Sequence, residues 1–113
     1  MLTENHDLEG ALKTFIELLN KKKYFDAHEA LEEAWHPLRK KNHPLKNLAK
    51  GLINAAICFE HLQRNRKDAK RKATTVLKSF ERHKHLCVEG IEQDELFKKS
   101  CKKIEELKRL HKL

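Results

Sequence analysis

Residues 45–63 read Leu-Lys-Asn-Leu-Ala-Lys-Gly-Leu-Ile-Asn-Ala-Ala-Ile-Cys-Phe-Glu-His-Leu-Gln, and their apolar side chains fall on more than one side of a helix. A helix that is apolar nearly all round has to be surrounded by others. Gly51, Ala55 and Ala56 keep its surface slim, so neighbours can approach closely. This segment commits the chain to a compact multihelical bundle of about five helices around a central apolar helix, an all-α fold.

Four amphipathic segments supply the rest. At 7–20, Leu8, Leu12, Phe15, Ile16 and Leu19 form one stripe, and Asn5 or Asp7 can cap its start. From Tyr24 to Arg39, the apolar arc is Tyr24, Leu31, Trp35 and Leu38, with His28 at its centre and Pro37 in the last turn. Asn42-His43-Pro44 breaks the chain, with Pro44 suited to a first helical turn. The segment 67–82 buries Ala69, Ala73, Val76, Leu77 and Phe80; after a less regular stretch from His83 to Gly90, 92–111 buries Leu96, Phe97, Ile104 and Leu107. The apolar face of that last segment suits either intrachain packing or a dimer surface.

The chain has 113 residues, which fits one helical domain over 1–113. No apolar run reaches the ~18 residues of a membrane span, and the N-terminus lacks a basic leader, so a cytoplasmic protein is expected. Cys58, Cys87 and Cys101 form no Cys-x-x-Cys pair and read as free, buried or partly buried thiols. Cys87, beside His83, Lys84 and His85, is the candidate for a reactive one.

The octet His28-Glu29-Ala30-Leu31-Glu32-Glu33-Ala34-Trp35 concentrates one histidine, three carboxylates and the only tryptophan in about two helical turns. Positions i, i+4 and i+7 stack, so His28, Glu32 and Trp35 share a side. One interpretation is structural: His28 and Glu32 form a buried polar pair beneath a Trp35 lid, with Glu29 and Glu33 towards solvent. A second is a small-molecule or protein-partner site on that face, without catalysis. A third is a divalent metal held by His28, Glu32 and His61, with His36 or His6 as weaker donors, in a hydrolase using Glu29 or Glu33 as base. The His-Glu-x-x-His motif of zinc proteases is absent, as are phosphate loops and dinucleotide fingerprints. No other cofactor is expected.

The run Tyr24-Phe25-Asp26-Ala27-His28-Glu29-Ala30-Leu31-Glu32-Glu33-Ala34-Trp35, followed by Gly51-Leu52-Ile53-Asn54-Ala55-Ala56-Ile57-Cys58-Phe59-Glu60-His61-Leu62, resembles a small all-helical family, domain of unknown function 309, over about residues 10–80. The resemblance implies that these two helices pack together. It also implies that His28, Glu29, Glu32, Glu33, Trp35 and His61 share a site or a core network. Asn54 stands where that pattern has glutamine. Its Gly-Asn turn is Arg64-Asn65-Arg66 here, and Asn65 still tolerates the left-handed conformation.

Charge is uneven. Residues 58–113 carry sixteen Lys/Arg against nine Asp/Glu, while residues 1–57 are nearly balanced. Arg64, Lys67, Arg71, Lys78 and Arg82 line one face. Such a stripe is either a solvated basic surface or a phosphate-driven nucleic-acid binder. It lacks the interleaved aromatics of a single-strand stacking platform.

Overall fold

The computed structural model describes residues 7–65 and 67–113. It contains five α-helices: α1 (Leu8–Asn20), α2 (Tyr24–Lys40), α3 (Lys46–Arg64), α4 (Ala69–His83) and α5 (Asp94–Leu110). The stretch after α4 begins with a single 3-10 turn, Lys84–Leu86. The described residues contain no strand. None of the helices is long and apolar enough to cross a membrane.

α3 is the centre, as its apolar wrap requires. Leu48, Ala49, Gly51, Leu52, Ile53, Ala55, Ala56, Cys58 and Phe59 are all buried on it. α2 packs along one part of its surface and α4 along another; α1 lies on α2, and α5 packs against α1 and α3. The α3–α4 crossing is the closest kind. A Cβ placed on Gly51 would stand 3.1 Å from the Phe80 Cα and 3.3 Å from the Ser79 carbonyl oxygen, so any larger residue would have to push the two backbones slightly apart.

Local chemistry explains the ends. Asp7 caps α1 by accepting a hydrogen bond from the Gly10 N–H at 3.1 Å; Asn5 and His6 lie outside the described residues. α3 begins at Lys46, after Pro44 and Leu45, because the His43 ring takes the Leu45 N–H at 3.0 Å and holds a turn there. Asn65 ends α3 in the left-handed region with φ 50°, as the turn reading requires. Asp68 is left-handed as well, which delays α4 to Ala69. Lys22 and Gln93 adopt the same conformation at φ 61° and 57°, after α1 and before α5.

Four charged side chains clasp α4 and its following turn to α5. Lys84 lies 2.7 Å from Glu81 and 3.2 Å from Glu105, while Lys108 pairs with Glu105 at 3.1 Å and with Glu81. Burial alone would raise the Glu81 carboxyl, but hydrogen bonds from Lys108 and Lys84 outweigh it and hold the group below the usual carboxylate range.

Candidate functional site

The inward stripe of α2 is Tyr24, Ala27, Leu31, Ala34 and Leu38, spaced by threes and fours. This corrects the sequence-derived arc. Ala27 and Ala34 take the central positions, while His28 and Trp35 fall to the flank and are only partly buried. The physical reason is size. Small side chains let α2 sit close to α3, and the bulky ones are displaced to the edge of the contact.

His28 therefore has different neighbours from those expected. Its ring stands edge-on to Phe25 with centroids 4.9 Å apart. Its Nδ1 is buried and has no hydrogen-bond partner, so Glu32 does not complete a buried pair through that atom. Glu32 instead faces Lys50 of α3, at 3.8 Å. The same ammonium lies 4.3 Å from the centroid of the Trp35 ring, and the Arg39 guanidinium is 5.3 Å from it. Trp35 is thus a platform for cations, within the ~6 Å reach of a cation–π contact. Lys50 was missed by sequence reasoning. Its sequence signal was only that it is a cation on a helix expected to pack against α2.

Glu29, Glu32, Glu33 and His36 border an open depression of about 220 Å³ on the outer side of α2. Positions 29, 32, 33 and 36 follow the i, i+3, i+4, i+7 rule, so one helix face presents them all. The His36 ring lies 5.1 Å from that of Trp35, joining the depression to the aromatic platform.

His61 goes elsewhere. It borders a separate cavity with Glu60, Arg64, Lys67, Ala69 and Lys72, where α3 ends and α4 begins. Among the described residues no group of three or more His, Cys, Asp or Glu side chains is arranged to hold a metal ion. His28, Glu32 and His61 are accordingly not gathered into one ligand set. Asn54 is half-buried on α3 and does not border the His61 cavity. The distribution follows from α3 being apolar all round: sequence could not fix which of its sides met α2.

Of the basic face, Arg64 pairs with Glu60 at 2.7 Å and Arg71 with Asp68 at 3.3 Å. Lys67, Lys78 and Arg82 are exposed and form no ion pair with the described residues. The cysteines are free thiols, as expected. Burial pushes the Cys58 thiol up to about 12. It also raises Cys87, against a smaller lowering effect of the neighbouring Cys101 thiol. The basic neighbours of Cys87 in sequence therefore do not produce an activated thiolate.

These features define a helical protein that presents an acidic, tryptophan-edged face on one helix and basic groups on another. The chain matches the profile of the domain of unknown function family DUF309 over residues 12–73, and it belongs to that family. The match takes in all of α2 and α3, and ends within α4. No curated protein matches the chain, and no solved structure does.

Proposed function

We propose that the protein is a non-catalytic helical docking module, and that the outer face of α2 receives a cationic segment of a partner protein. The observation that carries this reading is a division of labour on one helix. Tyr24, Ala27, Leu31, Ala34 and Leu38 do the packing. Glu29, Glu32, Glu33 and His36 border an open depression beside the only tryptophan. Residues on the side of a helix that does not pack against the core are the ones placed to meet a partner. The face already accommodates a cation in two ways, since Lys50 approaches both the Glu32 carboxylate and the Trp35 ring. A lysine or arginine side chain from a partner would meet the same chemistry.

Trp35 is the only tryptophan, so its fluorescence reports directly on this face. Titration with a short lysine- and arginine-rich peptide is expected to give a saturable emission change. The Glu29→Gln, Glu33→Gln double variant removes two carboxylates and should bind at least about tenfold more weakly. The net charge of +8 repels any polycation at long range, so binding against that repulsion reports the local face. An unchanged spectrum, or equal affinity in the double variant, would refute the reading.

A further inference from the structure

The corner where α3 ends and α4 begins encloses about 120 Å³ between Glu60, His61, Arg64, Lys67, Ala69 and Lys72. Three cations and a histidine share this space with one carboxylate. That carboxylate is engaged, because Glu60 lies 2.7 Å from the Arg64 guanidinium. The nearby Asp68 carboxylate is taken up by Arg71 at 3.3 Å. Lys67 and Lys72 are paired with none of the described residues. The left-handed bend at Asp68, φ 62°, carries the chain between them, so that lysines from before and within α4 border one hollow.

We propose that this corner binds a single phosphate group, with Arg64, Lys67 and Lys72 supplying positive charge and His61 a ring hydrogen-bond contact. This site is separate from the α2 face and goes beyond the docking role proposed above. Three features distinguish it from a merely basic surface. The cations belong to two different helices and the turn joining them. They border a partly open hollow rather than a flat face. The excess of charge is positive after the internal ion pair is counted. The hollow has room for several waters, and therefore for a compact tetrahedral oxyanion. Ala69, the first residue of α4, borders the hollow, and the positive end of that helix dipole adds to the same field.

The test is an amide NMR titration with sodium phosphate, matched in ionic strength by a parallel titration with sodium chloride. Saturable shifts at His61, Arg64, Ala69 and Lys72 in phosphate alone are expected. A Lys67→Gln, Lys72→Gln double variant should weaken that binding about tenfold or more. Both lysines are exposed, so the variant should keep the wild-type helical spectrum. Identical shifts in chloride, shifts spread equally to Lys78 and Arg82, or unchanged affinity in the variant would overturn the proposal. Two further probes identify the source of the group. A 5′-phosphorylated mononucleotide that binds more tightly than inorganic phosphate assigns the hollow to a phosphate monoester; equal binding assigns it to the free ion. A short DNA duplex that binds while both small probes fail would replace a one-group site with a diffuse polyanion surface, and so overturn it.

Discussion

α2 and α4 both pack on α3, by opposite means. α2 brings the small residues itself, burying Ala27 and Ala34 between larger side chains. Against α4 the small residue at the closest approach belongs to α3: Gly51 lies against the backbone of Ser79 and Phe80, and the Phe80 ring is fully buried. Their outer faces differ in sign. α2 presents Glu29, Glu32 and Glu33, whereas α4 presents Lys78 and Arg82. In each case close packing depends on residues other than the charged ones. Outer charge can therefore be changed with little effect on the fold, and function can be tested apart from stability.

The largest expected effects come from the packing residues. Leu31→Ala should destabilise by about 2–5 kcal/mol through lost burial and a residual cavity. Gly51→Val should destabilise by about 1–3 kcal/mol by forcing the α3 and α4 backbones apart. Denaturant unfolding measures both. The outer substitution Glu29→Gln should stay within ~0.5 kcal/mol of wild type in the same experiment. A Gly51→Val variant as stable as wild type would mean that α4 is free to move off α3, and the contrast with α2 would collapse.

A smaller effect is expected at the α4–α5 clasp. Glu81 is held below its ordinary value in the folded chain. Its contribution is therefore complete above the unfolded glutamate value of ~4.3 and is lost as pH falls through the lowered one. The hydrogen bond with Glu81 raises Lys84, whose contribution is complete below ~10.4 and lost on passing above its raised value. Melting curves of wild type and Glu81→Gln should differ at neutral pH and converge as pH falls through the lowered Glu81 value. The Glu81 side chain is 36% exposed, so solvent screening limits the neutral-pH gap to under about 1 kcal/mol. A gap that persists once Glu81 is protonated would show that the glutamate acts through packing.

The smallest change is expected at His28. A buried histidine hydrogen-bonded to Glu32 would be costly to replace, but Nδ1 has no partner. His28→Leu removes an unsatisfied acceptor and keeps apolar volume, so it should melt at or slightly above the wild-type temperature. A fall of about 5 °C or more, equivalent to roughly 1 kcal/mol, would restore a structural polar contact at this position.

The helices were legible because their stripes are long and regular, and because Asp7 and Asn65 carry strong local preferences. The α2–α3 pairing expected from the family resemblance is present. On α2 the arc held at Tyr24, Leu31 and Leu38 and failed at His28 and Trp35. The sequence arc favoured large side chains, so Trp35 and His28 displaced Ala27 and Ala34, which are the buried ones. His61 was misplaced for another reason. Its helix is apolar on every side, so periodicity gave no preferred direction towards α2. The polar companions of both regions come from other segments: Lys50 meets Trp35 across a helix contact, and Lys72 reaches the His61 hollow from α4. Ser100, fully buried, was also missed; its hydroxyl donates to the Leu96 carbonyl at 2.9 Å, a contact within its own helix that supplies its own partner.

The left-handed corners have a consequence for engineering. Lys22 and Gln93 hold positive φ with full side chains, a conformation that costs an ordinary residue roughly 1–2 kcal/mol relative to its right-handed one. Glycine at either corner would relieve that strain, while a looser unfolded chain would take back part of the gain. Neither position belongs to the octet on α2 or borders the α3–α4 hollow. Thermostable variants can therefore be sought at the corners first, with both recognition surfaces left in their natural sequence.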